Sequence, residues 1–116
     1  MPKLNELAYF LNSIKETLPF EDEKDFIEKI NKSKEFRVKV QKLVYLSKFF
    51  GWDNNYHFNF HEYGPYSSEL SEDYHNITSL EKLYEIKDID IERFIELIKN
   101  NNNDYLESAS TILYYN

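Results

Sequence analysis

Apolar residues recur at steps of three and four along almost the whole chain, and this spacing constrains the fold more than any other feature. The first run lies between Pro2 and Pro19, and its apolar residues are Leu4, Leu7, Leu11, Ile14 and Leu18. Such a stripe covers one face of an amphipathic helix, and proline suits the first turn of a helix but stops its interior. The spacing predicts a helix that ends at Pro19. A second helix is predicted behind an Asp22 N-cap, with buried residues Phe26, Ile27 and Ile30.

The central helix is predicted from about Lys34 to Phe50, and it should be the core helix. Its apolar residues cover too wide an arc for a surface helix: Phe36, Val40, Leu43, Val44, Leu46, Phe49 and Phe50. Gly51 suits the left-handed position that ends a helix. A narrow polar stripe remains, formed by Arg37, Gln41, Tyr45 and Lys48. We interpret this stripe as a solvated edge with extended basic side chains. The alternative is a contact surface for phosphate or for an acidic partner.

The apolar period changes to two at Tyr56. There Tyr56, Phe58 and Phe60 alternate with polar residues, which predicts a half-buried strand. A single strand is not stable alone, so it needs a partner. The predicted partner is the alternating segment Tyr84-Glu85-Ile86, and the alternative is the same strand of a second subunit.

The segment Tyr63-Gly64-Pro65-Tyr66-Ser67 predicts a turn into an acidic helix. Gly64 tolerates backbone conformations that other residues resist. Pro65 lacks an amide proton and can stand where a helix begins, and Ser67 or Ser68 can cap that helix. The predicted apolar stripe of the helix is Tyr66, Leu70, Tyr74 and Ile77. The opposite face carries Glu69, Glu72 and Asp73.

Further helical segments are predicted beyond this point. A capping box at Thr78-Ser79-Leu80-Glu81 restarts a short helix, Asp88 or Asp90 opens the next, and a last one runs from Tyr105 to Tyr115. Only 2 Gly and 3 Pro in 116 residues also favour helices over a turn-rich β fold. We therefore predict a mainly α, compact single domain over residues 1–116, with five to six helices and one small β element near residues 56–62.

The charge of the chain is unevenly distributed. The net charge is -7, yet residues 32–48 carry six basic residues and one acidic residue, and residues 49–116 carry four basic and thirteen acidic residues. An acidic protein is a poor non-specific binder of nucleic acid, because phosphate repels it at long range. The absence of cysteine fits a reducing compartment. With no apolar run of about 20 residues and no signal-peptide core, we expect a soluble, cytoplasmic protein.

The order of residues in two blocks resembles a known family. The blocks are Val40-Gln41-Lys42-Leu43-Val44-Tyr45-Leu46 followed by Gly51, and Tyr63-Gly64-Pro65-Tyr66-Ser67 followed by Glu69, Leu70, Asp73 and Tyr74. They resemble the YwgA-like and SocA/Panacea-type domains, in which a similar helix, a strand and a Y-G-P turn follow one another. Residues 106–113 also look like the family's late helix. Residues 1–33 show no match, and the chain stops where relatives usually continue, which leaves open a missing C-terminal extension.

The resemblance implies a mainly helical domain of prokaryotic or viral origin. Panacea-type members look like antitoxins that neutralise a protein toxin, or adaptors that present one for degradation. YwgA-like members have no assigned activity, and this chain looks closer to them. The resemblance brings no catalytic residues to this sequence.

No catalytic, metal or cofactor site is predicted. His57 and His61 share one face of the predicted strand, but this spacing separates their rings by about 13 Å on a strand. Glu72 and Asp73 point to different sides of a helix, so they form no acid/base pair. Glycine-rich phosphate loops and nucleophile elbows are absent from the sequence. We therefore expect a non-enzyme without metal or cofactor.

The sequence is compatible with three functions. The first is a protein-binding module of antitoxin or adaptor type, whose surface comprises Tyr63, Gly64, Pro65, Tyr66, Ser67, Glu69, Glu72 and Asp73. Its partner would be a protein, such as a toxin or a second copy of the chain. The second is a winged-helix-like nucleic-acid-binding regulator with a hairpin of residues 56–62 and 83–87, and with contacts from Lys34, Arg37, Lys39, Gln41 and Lys48. The third is a self-associating structural protein, which uses the edge strand or the apolar end from Ile112 to Tyr115.

Overall fold

The part of the chain that the structure describes is mainly α with one small β element, as the apolar spacing predicts. A computed structural model describes residues 2–80, 86 and 89–99. Within them lie α1 (Pro2–Ser13), α2 (Glu23–Lys32), α3 (Lys34–Ser47), a 3-10 turn (Lys48–Phe50), β1 (Asn59–His61), β2 (Gly64–Tyr66), α4 (Ser68–His75) and α5 (Ile91–Lys99). None of the helices in this described part is long and apolar enough to cross a membrane. The predicted helix start at Glu81, the strand partner at Tyr84 and Glu85, and the last helix lie outside the described residues.

Helix α1 is shorter than predicted, because it ends at Ser13 and not at Pro19. At the end of α1, two side-chain hydroxyl groups compete with backbone N–H groups for backbone carbonyls. The Ser13 hydroxyl donates to the Tyr9 carbonyl at 2.8 Å, and the Thr17 hydroxyl donates to the Ile14 carbonyl at 2.7 Å. The chain continues through turns, and the predicted apolar stripe remains buried as far as Leu18.

Side-chain caps begin α2 and α3. The Asp22 carboxylate accepts from the Asp25 N–H at 2.8 Å, which confirms the predicted cap of α2. The Ser33 hydroxyl accepts from the Phe36 N–H at 3.1 Å and caps α3. Phe26 is buried, but Ile27 is exposed, so its predicted burial is wrong. Successive residues of a helix point about 100° apart. The face of α2 that meets the core is therefore wide enough for Phe26 but not for its neighbour Ile27.

Helix α3 is the core helix of the described fold, as predicted. Every residue from Val40 to Ser47 is buried, and the helix packs against α2 and β2. The chain then tightens into the 3-10 turn and stops at Gly51, whose φ of 110° is left-handed. Phe49 departs from the prediction, because it lies on the outer side of this turn and is 50% exposed.

The strand at residues 59–61 pairs with the segment that follows it, a partner that the sequence analysis did not predict. β1 and β2 are antiparallel, with Phe60 opposite Pro65 and His61 opposite Gly64. We call residues 59–66 the β-hairpin. Glu62 and Tyr63 form its tip with negative φ, and Gly64 has a φ of 114°. A left-handed glycine after such a tip is typical of three-residue hairpin loops, so the turn chemistry closes the hairpin locally.

Aromatic rings hold the 51–58 segment and α5 against α1. The ring of Phe10 lies 5.0 Å from that of Trp52, which in turn contacts Tyr56 at 6.4 Å. Phe94 of α5 contacts Phe10 at 5.6 Å and Phe50 at 5.3 Å. Much of the large aromatic content is therefore used to bury segments that have no regular structure of their own.

Candidate functional site

Basic residues in and beside the polar stripe of α3 bind backbone carbonyls of neighbouring segments. Arg37 Nη1 donates to the Ile30 carbonyl at 2.8 Å, and Lys39 Nζ donates to the Thr17 carbonyl at 3.2 Å. Beyond the helix, Lys48 Nζ lies 3.5 Å from the Tyr56 carbonyl oxygen. Burial lowers the pKa of the Lys39 amine, against the opposing effect of the nearby Glu35 carboxylate. These cations stabilise the turn after α1, the end of α2 and the 51–58 segment.

Gln41 lies in the middle of this stripe and is only 2% exposed. Its Nε2 donates to the Ser67 carbonyl at 3.0 Å, and its Oε1 accepts from the Ser67 N–H at 2.9 Å. A primary amide offers both a donor and an acceptor. The Gln41 side chain therefore pairs with the backbone of Ser67 as a neighbouring strand would. The prediction of a solvated edge is wrong for Gln41, because the β-hairpin packs on this side of α3, and for the buried Tyr45, whose ring packs against those of Phe49 and Phe58.

The same contacts fix the start of α4. The Ser67 hydroxyl accepts from the Leu70 N–H at 3.2 Å, which confirms a serine as the residue that opens the helix. Pro65 lies in β2 and does not begin the helix. A Cβ atom added to Gly64 would stand 3.2 Å from Lys42 Cε, so α3 and the β-hairpin approach closely here. The left-handed backbone angle therefore favours glycine at position 64, and an added Cβ would also require the end of the Lys42 side chain to shift by a few tenths of an ångström.

A groove of about 280 Å³ lies between α3, the β-hairpin and α4. We call it the α3–hairpin groove. Its described lining includes Lys34, Arg37, Val38, Gln41, His61, Tyr63, Gly64, Pro65, Tyr66, Ser71 and Tyr74. A second hollow of about 250 Å³ shares Lys34, Val38 and Tyr63 with it. The Tyr63 ring therefore lies between two adjoining hollows.

Two tyrosine rings stand exposed at this groove. Tyr63 is 49% exposed and Tyr66 is 37% exposed. Lys34 Nζ lies 4.3 Å from the centroid of the Tyr63 ring, within the range of a cation–π contact. The His61 ring lies 5.2 Å from that of Tyr66. The prediction that Tyr66 belongs to the buried stripe of α4 is wrong, because Tyr66 ends β2 and lies before the helix.

The groove carries positive charge in an acidic protein. Among the described residues that line the larger hollow, Lys34 and Arg37 are cations and none is a carboxylate. The smaller hollow has Lys34, Lys39 and Lys42 against Glu35 alone. Since the whole chain has a net charge of -7, the field at the groove opposes that of the molecule around it.

The carboxylates of α4 face another part of the molecule. The Asp73 carboxylate accepts from the Tyr56 hydroxyl at 2.6 Å, and Glu69 Oε1 accepts from the His57 N–H at 3.0 Å. Burial, and then the bond to Asp73, raise the pKa of the Tyr56 hydroxyl far above its usual value. Two of the three predicted partner-binding acids thus anchor the 51–58 segment to α4, while Glu72 is exposed.

The groove brings together residues from both sets of predicted contacts. It joins Lys34, Arg37 and Gln41 of the nucleic-acid set to Tyr63, Gly64, Pro65 and Tyr66 of the protein-binding set. Glu69, Glu72, Asp73 and Lys48 lie elsewhere, and Ser67 is buried beneath the surface. Sequence reasoning missed Val38, His61, Ser71 and Tyr74. No local pattern marks them, because the groove exists only where the β-hairpin packs on α3.

No family model matches the chain, and no solved structure matches it. The uncharacterised protein YwgA of Bacillus subtilis (strain 168) is 26% identical over a match that covers 68% of this chain and 64% of that protein. The chain thus spans less than two thirds of that relative's length. The match agrees with the YwgA-like part of the resemblance and provides no evidence for the Panacea-type part.

Proposed function

We propose that the protein is a non-enzymatic protein-binding module whose partner binds in the α3–hairpin groove. The observation that carries this proposal is the pair of exposed rings, Tyr63 and Tyr66, beside a hollow with two cations in its lining. Tyrosine and arginine are enriched at protein interfaces, and the residues that dominate binding energy surround pockets of this kind.

The rigidity of the groove supports the same proposal. The Gln41 amide ties Ser67, the residue after the β-hairpin, to α3 through two hydrogen bonds, and the β-hairpin approaches α3 closely at Gly64. These contacts hold the β2 side of the groove against α3. A preformed surface loses less conformational entropy on association.

The resemblance to antitoxins and adaptors supplies a finer form of the proposal, in which the partner is a toxin. A prokaryotic or viral origin and a cytoplasmic location belong to this finer form. The nucleic-acid alternative has weaker support, since Gln41 is buried and the side chains of Arg37, Lys39 and Lys48 bind backbone carbonyls. A phosphate backbone would have to compete with those carbonyls.

Site-specific photo-crosslinking tests the proposal. A photoreactive amino acid replaces Tyr63 in one variant and Phe49 in the control, because both side chains are about half exposed and only Tyr63 lines the groove. We expect a discrete protein adduct from position 63 in the native host, and none of that mass from position 49. Equal labelling at both positions, or adducts of nucleic acid alone, would contradict the proposal.

A further inference from the structure

We infer that the α3–hairpin groove binds an acidic linear segment of a partner protein, with an apolar or aromatic side chain in the larger hollow and carboxylates beside Lys34 and Arg37. This inference rests on the proposed function and adds the chemical class of the partner. The inference follows from the sizes of the two hollows, from the residues that line them and from the contacts that hold the cations.

The two hollows fit side chains of one extended segment. Each is smaller than the roughly 300–1,000 Å³ of pockets that enclose drug-sized ligands. Val38, Pro65 and Tyr74 provide apolar surface in the larger hollow. Because the hollows share Lys34, Val38 and Tyr63, a peptide that crosses the Tyr63 ring can place one side chain on each side of it.

The cations of the groove are held in place before a ligand arrives. The bond from Nη1 to the Ile30 carbonyl orients the Arg37 guanidinium and uses one of its five N–H donors. The Lys34 ammonium rests on the Tyr63 ring at 4.3 Å. Long basic side chains normally lose rotamer freedom when they bind a carboxylate, and this loss is smaller when the side chain is already ordered.

The charge balance favours an acidic peptide over a nucleic acid. A nucleic acid presents a continuous row of phosphates, which would also approach the acidic remainder of a protein with a net charge of -7. A short peptide contacts only the groove. None of the described residues that line its larger hollow is a carboxylate. A basic segment would be repelled there by Lys34 and Arg37.

Selection from a random-peptide display library tests the inference without assuming a sequence. Wild type, Lys34→Glu and Lys24→Glu serve as baits, since Lys24 is an exposed lysine of α2 that does not line the groove. We expect wild type and Lys24→Glu to select an apolar or aromatic residue flanked by Asp or Glu. Lys34→Glu should lose that acidic preference.

Fluorescence anisotropy with a selected peptide gives the size of the effect. Lys34→Glu should weaken binding about tenfold, because a reversed charge replaces attraction with repulsion. Lys24→Glu should change the affinity less than about twofold. Tyr63→Ala should also weaken binding, whereas Phe49→Ala should not.

Three outcomes would overturn the inference. They are selected peptides without acids, the same peptides on wild type and Lys34→Glu, or displacement of the peptide by a single-stranded oligonucleotide at lower concentration than by unlabelled peptide. A protein adduct at position 63 without acidic selection would leave the proposed function standing and reject only the acidic partner. Acidic selection without such an adduct would reject the proposed function, and the inference with it.

Discussion

At the scale of single residues, polar side chains replace backbone partners in this protein. The short strand β2 ends at Tyr66, and the next residue, Ser67, has its N–H and C=O bound by the Gln41 side chain. Buried backbone groups need such partners, because leaving one unpaired costs about 1–3 kcal/mol. A residue that looks like part of a solvated stripe is thus a buried structural contact.

Gln41→Leu should destabilise the protein by roughly 1–3 kcal/mol, because it leaves the buried Ser67 N–H without its partner, while the Ser67 carbonyl keeps its bond from the Ser71 N–H. Urea denaturation followed by the fluorescence of the buried Trp52 measures the change. Asn31→Leu is the control, since it removes an exposed amide from α2 and should change stability by less than about 0.5 kcal/mol. Equal effects of the two substitutions would mean that the Gln41 bonds contribute nothing.

Gly64→Val should destabilise by about 1–3 kcal/mol, because a β-branched residue resists a φ of 114° and its Cβ would press on Lys42. The denaturation midpoint reports this loss. Glu62→Val in the same β-hairpin has negative φ and an exposed side chain, so it should be nearly neutral. An unchanged midpoint for Gly64→Val would remove the physical reason for glycine in the turn.

At the scale of elements, α3 and α4 organise the irregular segments between the helices. Hydrogen bonds from α3 reach the end of α2, the turn after α1 and the β-hairpin. Asp73 and Glu69 of α4 hold the 51–58 segment through Tyr56 and His57. Reversing the charges of α4 would break these bonds, so Lys34 and Tyr63 are the better positions for testing partner binding.

The link between Tyr56 and α4 predicts a loss of stability in alkali. The folded-state pKa of the Tyr56 hydroxyl is raised, so its contribution is fully present below the unfolded pKa of about 10 and is lost as pH rises above that value. Stability measured between neutral pH and strong alkali should fall more steeply for wild type than for Tyr56→Phe. At neutral pH, Tyr56→Phe should cost about 1–3 kcal/mol, because the hydrogen bond to Asp73 is lost. Parallel alkaline profiles would contradict this assignment.

At the scale of the whole molecule, a positive groove lies in a negative protein. The ion pair Lys32–Glu28 is exposed and the pair Lys29–Asp25 is half-buried at the surface, and such pairs contribute little to stability. The net charge of -7 therefore acts chiefly through repulsion within the fold and attraction or repulsion of partners. Salt screens both effects. Screening of the repulsion within the fold favours stability, whereas screening of the attraction to an acidic partner weakens the proposed binding.

Added sodium chloride should raise the stability of the protein while it lowers the affinity for an acidic peptide. Screening weakens the repulsion among the acidic side chains, and it also weakens the attraction between the peptide and Lys34. Denaturation midpoints and anisotropy titrations across the same salt series measure the two trends. Sucrose, which does not screen charge, should leave the affinity nearly unchanged; a parallel fall in sucrose would show that charge is not the cause.

The sequence by itself determined the features that depend on neighbours along the chain. These are the α-helical class, the Asp22 cap, the left-handed stop at Gly51, the left-handed conformation of Gly64, and a serine at the start of α4. Each follows from local spacing or from the conformational preferences of one residue, which a sequence displays directly.

Only the tertiary structure decided which segments meet. It paired β1 with β2, buried Gln41 under the β-hairpin, turned Phe49 and Tyr66 outward, and created the α3–hairpin groove. A polar residue in a helix can face water, a ligand or the backbone of another segment. The sequence spacing of the polar residues is the same in all three cases. The choice depends on contacts between residues far apart in sequence, such as the 26 positions between Gln41 and Ser67.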